Sequence, residues 1–279
     1  MKILLTNAPL QYHHRQAFVF RDWGTYNLAL LATLAGKDHQ VKILDNWHYI
    51  LKSHAIFETI ADFKPDLVGI NHNAEVDSEH VMAIAKEIKR RWPHIIMITG
   101  GQSATVHAEE MLDNGFDCVV RGEAEVTFPE LLKAIEGGRR DWSAIKGLIY
   151  KDGPQVCKTD ERPMLTDLSV SPFPDIKYMP KHDSWYWPGE KSSVIETSRG
   201  CPFICDFCMV TSYWKRSYRK RPNKEIIDYL GRLVHDHGTR HLYFIDDSFG
   251  LRANEYMELC QMIVDAKLKL KWFSNGFRA

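Results

Sequence analysis

Strand-like and helix-like patterns alternate through the first 140 residues of this chain, and this alternation limits its possible folds more than any other feature. Short apolar runs predict strands at Lys2–Asn7, Val41–Asp45, Leu67–Asn71, Ile95–Thr99 and Cys118–Arg121. Apolar residues at helical spacing predict helices at Asn27–Leu34, Ile56–Phe63, Glu79–Arg91, Ala108–Leu112 and Phe128–Ile135. We therefore predict an α/β fold whose parallel sheet is covered by helices on both faces. Such folds bind ligands beyond the carboxyl ends of their strands.

The chain changes character after residue 140. A β-rich stretch at 147–158, turning at Asp152–Gly153, predicts a hairpin, and a proline- and aromatic-rich segment follows it. Strand and helix patterns then resume, with strands predicted at Ser193–Thr197, His241–Ile245 and Leu270–Ser274 and helices near Lys224–His237 and Asn254–Lys267. Three parts are predicted: an α/β domain at 1–140, a hairpin and linker at 141–190, and a second βα unit at 191–279.

The composition argues against nucleic-acid and membrane proteins. The chain has 36 Lys+Arg and 36 Asp+Glu, so no overall field attracts a polyanion. No apolar run approaches the roughly 20 residues that span a bilayer. The N-terminal MKILLTNAPL fits a strand better than a signal peptide, so a cytoplasmic location is expected. The basic run Lys215–Arg221 suits RNA or an acidic electron donor, but we interpret it as a solvated loop before a helix.

Three of the six cysteines, Cys201, Cys205 and Cys208, lie within eight residues. Three thiolates this close can bind three irons of a cubane and leave the fourth iron open to another ligand. Zinc is the main alternative, but it usually takes four protein ligands, and His235 or His237 would have to supply one. An electron-transfer ferredoxin would need a fourth cysteine at a suitable spacing. The scattered Cys118 and Cys260 are expected to be small buried hydrophobes.

The cysteine segment resembles the CxxxCxΦC signature of the radical S-adenosylmethionine (SAM) superfamily, with Phe207 as the aromatic residue before the third cysteine. This resemblance implies a [4Fe–4S] cluster on the loop after the first strand of a partial (βα) barrel. It also implies that SAM chelates the open iron and is cleaved to a 5′-deoxyadenosyl radical. The segment FIDDSFG is similar to the part of the family that holds the SAM amino group. Asp246 and Asp247 are therefore candidate acceptors. The alternative is that Asp247 and Ser248 cap or turn the chain before the next helix.

Segments upstream resemble the cobalamin domain of cobalamin-dependent radical SAM proteins. Asn71 occupies the position of the serine of an SxL motif, Gly100 and Gly101 match the following GG, and Thr105 lies in a GGPHAT-like segment. VVRGEAEVTFPELL is similar to the next segment of these proteins. The resemblance implies a flavodoxin-like (Rossmann-type) domain in which these four residues contact cobalamin. The glycines would let the backbone approach the ligand.

Two features depart from the family patterns. The DxHxxG motif, whose histidine ligates cobalt, is absent, and His13 and His14 stand in a different context. If cobalamin binds, we therefore expect no histidine below the cobalt, and His72 is expected to be solvated. The second unit offers three strands, whereas the family barrel has six, so we expect the chain to be a fragment of a longer enzyme.

The resemblance implies an enzyme that methylates, or otherwise modifies, an unactivated carbon of a small molecule. Its cofactors would be a [4Fe–4S] cluster, SAM and cobalamin, and reduced flavodoxin or ferredoxin would supply the electron. Cyclisation of a porphyrin ester belongs to the same broad family. The alternative is a protein that binds cobalamin or a cluster without cleaving SAM.

Overall fold

The computed structural model describes residues 1–9, 23–46, 51–73, 78–139, 141–180, 189–274 and 276. His13 and His14 lie outside these ranges, as do the linker aromatics at 185–187. Within the chain there are two compact units, Met1–Met164 and Leu165–Ala279, which we call unit 1 and unit 2.

Unit 1 is built on a seven-stranded sheet. Its strands are β1 (Lys2–Asn7), β2 (Gln40–Leu44), β3 (Leu67–Asn71), β4 (Ile96–Gly100), β5 (Cys118–Val120), β6 (Leu148–Asp152) and β7 (Gln155–Lys158). Its helices are α1 (Trp23–Ala35), α2 (Ser53–Phe63), α3 (Ser78–Arg91), α4 (Gln102–Val106), α5 (Ala108–Asp113) and α6 (Ala124–Glu136). The strand order is β2-β1-β3-β4-β5-β6-β7, and β1 to β5 pair in parallel. The five strands predicted for this region are confirmed, each to within one residue.

Helices pack on the sheet because their apolar faces match those of the strands. One core joins Leu4 and Val68 of the strands to Ile56 of α2, Val81 of α3 and Met111 of α5. Helices α1 and α6 contact each other and bury further apolar side chains outside that core. Helices therefore cover both faces of the sheet, as the alternating pattern predicts.

The hairpin β6–β7 extends the sheet of unit 1. Strand β6 pairs antiparallel with β5, with Cys118 opposite Tyr150, and Trp142 packs against Tyr150 at a ring separation of 5.5 Å. The sequence had placed this hairpin with the linker at 141–190. In the structure it covers the edge of β5, which would otherwise expose unpaired backbone groups.

Unit 2 contains a three-stranded parallel sheet of order β12-β11-β8 and a short antiparallel pair β9–β10. The strands are β8 (Lys191–Ile195), β9 (Ser198–Arg199), β10 (Arg219–Lys220), β11 (Thr239–Phe244) and β12 (Lys271–Ser274). The helices are α7 (Val210–Tyr213), α8 (Asn223–Arg232) and α9 (Ala253–Asp265), with a π-helical turn at Leu233–His237. The predicted βα repeat is confirmed, although β8 ends two residues before the predicted end.

The interpretation of Lys215–Arg221 as a solvated loop is wrong for its second half. Arg221 is 1% exposed, and its Nη1 donates to the carbonyl oxygens of Leu168 and Ser171 at 2.7 and 2.6 Å. Its guanidinium also lies 4.3 Å from the ring centre of Phe173. The cations are buried because the preceding segment offers them carbonyl oxygens and an aromatic face.

Candidate active site

The candidate site of unit 2 lies where β8 and β11 end. These strands are adjacent and parallel, so their carboxyl ends meet at one edge of the sheet. The cysteine loop follows β8, and Asp246 and Asp247 follow β11. Thr197 N donates to Asp246 Oδ1 at 2.6 Å, and Gly200 N donates to Asp247 Oδ2 at 3.0 Å. The structure therefore brings the two aspartates against the segment that leads into Cys201.

The three cysteines form no disulfide, and each is half-buried. Cys208 N donates to the carbonyl oxygen of Cys205 at 3.0 Å, which closes a turn between the last two cysteines. Phe207, between them, is 93% exposed. In the part of the chain that the structure describes, no three His, Cys, Asp or Glu side chains converge on a single-ion site. A cubane instead attaches each thiolate to a different iron, and three cysteines on one short loop fit that donor set.

His237, considered above as a fourth zinc ligand, is committed to other contacts. It is buried, its Nε2 is 2.8 Å from the carbonyl oxygen of Pro180, and its Nδ1 is 3.1 Å from Thr239 Oγ1. A ring with both nitrogens engaged cannot also bind a metal without losing one of these bonds. Burial also lowers the pKa of His237. This residue ties the segment before β8 to the sheet.

The remaining cysteines match their expected context in part. Cys118 is buried in β5, and burial raises the pKa of its thiol. Cys260, on α9, is half-buried rather than fully buried.

The two aspartates have different environments. Asp246 is 4% exposed and accepts hydrogen bonds from Thr197, Ser198 and Tyr256, whereas Asp247 is exposed. Burial raises the pKa of Asp246, and its hydrogen bonds oppose that rise. Helix α9 begins at Ala253 with Arg252 at its N-cap, so Asp247 and Ser248 do not cap it. Both lie in the turn that precedes this helix, so the alternative that they turn the chain is confirmed.

The candidate site of unit 1 lies at the carboxyl ends of β3 and β4, where Asn71 pairs with Gly100. The side-chain Nδ2 of Asn71 is buried and has no hydrogen-bond partner among the residues that the structure describes. A buried donor left in this way costs free energy unless a ligand or water satisfies it. An unsatisfied donor at the ligand-binding edge of the sheet therefore fits a bound polar molecule.

The glycines beside Asn71 pack closely against neighbouring backbone. Gly101 has φ of +112°, and a Cβ there would lie 2.5 Å from the carbonyl oxygen of His72 and would also collide with Asn73. A Cβ on Gly100 would lie 3.2 Å from the carbonyl oxygen of Val120. Thr105 Oγ1 donates to the carbonyl oxygen of Gly101 at 2.9 Å. This close packing favours glycine at both positions.

His72 is buried, so the expectation that it is solvated is wrong. Its backbone N donates to the Gly100 carbonyl at 2.9 Å, and its Nε2 is 2.8 Å from Ser78 Oγ. Burial, and then the nearby His107, lower the pKa of His72 to about 4. The ring is therefore neutral at neutral pH. Nothing in the sequence around it separates this buried histidine from a solvated one.

Comparison with known proteins identifies both units. Residues 17–132 match the family model of the B12 binding domain, and residues 195–279 match that of the Radical SAM superfamily. The chain combines a B12-binding domain with a radical SAM domain. The predicted fold class is thereby confirmed, as are the predicted cofactors: a [4Fe–4S] cluster, SAM and cobalamin.

Relatives of this protein include two curated sequences. It is 32% identical over 284 residues to an uncharacterized methyltransferase of Pyrococcus horikoshii, covering 99% of this chain and 60% of that one. It is 30% identical over 286 residues to the anaerobic magnesium-protoporphyrin IX monomethyl ester cyclase of Rubrivivax gelatinosus, covering 99% of this chain and 50% of that one. The chain thus spans between half and two thirds of the length of these relatives.

A solved structure shares the fold. The radical SAM methyltransferase TsrM from Kitasatospora setae superposes with a TM-score of 0.68 at 20% identity, over 95% of this chain and 51% of TsrM. Within the described residues, no helix is long and apolar enough to cross a bilayer.

Proposed function

We propose that this protein methylates an unactivated carbon of a small-molecule substrate. The observation that carries the proposal is the position of the Cys201–Cys208 loop, because the segment that leads into it bonds through Thr197 and Gly200 to Asp246 and Asp247 at the end of β11. A thiolate loop at the carboxyl edge of a parallel sheet stands where such folds bind their ligands.

Each candidate residue of unit 2 would have a distinct part. Cys201, Cys205 and Cys208 would hold three irons and leave the fourth to SAM. When bound, the cluster and SAM would supply a deoxyadenosyl radical, and cobalamin would supply the methyl group. The exposed Asp247 carboxylate would accept the SAM ammonium. The exposed ring of Phe207 would cover bound SAM and exclude water.

In unit 1, the buried amide of Asn71 would donate a hydrogen bond to cobalamin. Gly100 and Gly101 would let the backbone beside Asn71 pack closely at this edge of the sheet, with Thr105 fixing the turn through its bond to the Gly101 carbonyl. No histidine of a DxHxxG motif is present to ligate the cobalt.

The electron would come from a reduced flavodoxin or ferredoxin. We further propose a cytoplasmic location, because a reducing compartment keeps thiols available for iron, and none of the six cysteines, all within the described residues, forms a disulfide.

The products formed from SAM distinguish methyl transfer from cyclisation. The protein is reconstituted anaerobically with iron, sulfide and cobalamin, then given SAM and reductant, and the products are measured by mass spectrometry. Methyl transfer predicts both 5′-deoxyadenosine and S-adenosylhomocysteine, because a SAM molecule that gives up its methyl group leaves the latter. Cyclisation, favoured by the similarity to the Rubrivivax enzyme, predicts 5′-deoxyadenosine without S-adenosylhomocysteine.

The control pair for this experiment is Cys205→Ala and Cys260→Ala. Both residues are half-buried cysteines of unit 2, but Cys260 lies on α9, outside the Cys201–Cys208 loop. We expect 5′-deoxyadenosine to vanish in Cys205→Ala and to persist in Cys260→Ala. A protein that binds cluster and cobalamin yet yields neither product would favour the non-catalytic alternative.

A further inference from the structure

Both carboxylate oxygens of Asp246 accept hydrogen bonds from neighbouring protein groups. Its Oδ1 accepts from Thr197 N at 2.6 Å, and its Oδ2 accepts from Ser198 Oγ at 2.8 Å and from the Thr197 hydroxyl. Tyr256 OH, from α9, donates to the same Oδ2 at 2.9 Å. A carboxylate offers about four lone-pair sites. Four protein donors therefore satisfy Asp246 and leave it poorly suited to bind an ammonium group from SAM.

Tyr256 is held in turn by the segment that precedes α8. Tyr218 OH lies 3.2 Å from Tyr256 OH, and Lys220 Nζ lies 5.2 Å from the centre of the Tyr256 ring. The network thus links β11, α9 and the chain around β10.

The remaining residues before Cys201 are fixed as well. Arg199 pairs with Arg219 across the β9–β10 ladder. Gly200 donates to Asp247 and has φ of +85°, where a Cβ would collide with the carbonyl oxygen of Ser217. The backbone is therefore held at each step from Thr197 to Gly200, immediately before the first thiol.

We propose that Asp246 and Tyr256 are positioning residues that fix the entry to the cysteine loop and so keep its three thiolates placed for the cluster. Asp247, which is exposed beside them, is then the member of the pair that meets SAM. This inference rests on the proposed function, because it assumes that the thiolates hold a cluster. A loop held by fewer bonds presents its ligands less well and releases its irons sooner.

The test is the rate at which a ferrous chelator, bathophenanthroline, removes iron from the reconstituted protein. Tyr256→Phe deletes one hydrogen bond to a carboxylate and should speed iron release roughly tenfold, the ratio expected from losing a bond of that kind. Asp246→Asn should act in the same direction. Tyr229→Phe is the matched control, because Tyr229 is equally buried in unit 2 and donates at 3.0 Å to the Pro174 carbonyl, away from the cysteine loop.

Faster release in Tyr256→Phe and Asp246→Asn, with Tyr229→Phe at the wild-type rate, supports the inference. Equal acceleration in both tyrosine variants would show a general loss of stability and overturn it. Unchanged iron release in Asp246→Asn together with lost SAM binding, measured by equilibrium dialysis, would make Asp246 a SAM ligand and also overturn it. Cluster formation by the wild-type protein is measured before any variant is compared. If the wild-type protein forms no cluster, the proposed function itself fails.

Discussion

Burial sets the protonation state of His72. Its pKa is lowered to about 4 because the folded protein removes the ring from water, whereas an unfolded chain leaves it near 6.5. At pH values between these two pKa values, the His72 ring binds a proton in the unfolded chain but stays neutral in the folded chain. The free energy of unfolding therefore falls as the pH falls from about 6.5 towards 4, by up to roughly 3 kcal/mol.

The His72→Gln variant should lose most of this pH dependence while keeping a hydrogen-bonding group beside Ser78. Urea denaturation at pH 7 and pH 4.5 measures the difference, and His94→Gln, at an exposed position, is the control. We expect the control to keep the wild-type slope. If the free energy of unfolding of His72→Gln depends on pH as strongly as that of the wild type, burial does not lower the pKa of His72.

The sequence predicted residue types at the site better than it predicted their surroundings. It selected Asp246 and Asp247 as an equivalent pair, because both follow the same strand. Their difference arises from Thr197 and Tyr256, which are 49 and 10 residues away from Asp246 along the chain. Contacts over such separations depend on the packed fold, and a local motif does not encode them.

Strands and helices were predictable where their pattern is local. The strands of unit 1 were placed to within a residue because apolar runs and the turns that bound them are properties of adjacent residues. The pairing of β6 with β5, and the burial of Arg221 beneath the segment at 168–173, depend on partners far along the chain. Both were therefore missed.

The junction between β4 and α4 supplies an element-scale prediction. Gly101→Ala would place a Cβ against the His72 carbonyl at a positive φ, and should lower the free energy of unfolding by at least about 2 kcal/mol. Gly138→Ala, just after α6, has a φ of +68°, a value that other residues adopt at a smaller cost, and meets nothing within 4 Å, so it should cost about 1 kcal/mol. Urea denaturation compares the two variants. An equal loss of the free energy of unfolding in both variants would mean that residues 72–73 move to make room for the added methyl group.

At the scale of the whole molecule, two units with separate cores carry two cofactor-binding domains on one chain. The matched relatives extend well beyond the length of this chain. The cysteine loop and the residues that hold its entry, Asp246 and Tyr256, all lie within unit 2.

The most direct test of the central claim is the electron paramagnetic resonance spectrum of the reconstituted, reduced protein with and without SAM. If Cys201, Cys205 and Cys208 hold a cubane with an open iron, the protein should contain about four iron and four sulfide per chain. The spectrum should shift when SAM is added, and the signal should be lost when any one of the three is replaced by alanine. A cluster signal that ignores SAM, or one that survives in Cys205→Ala, would contradict the account.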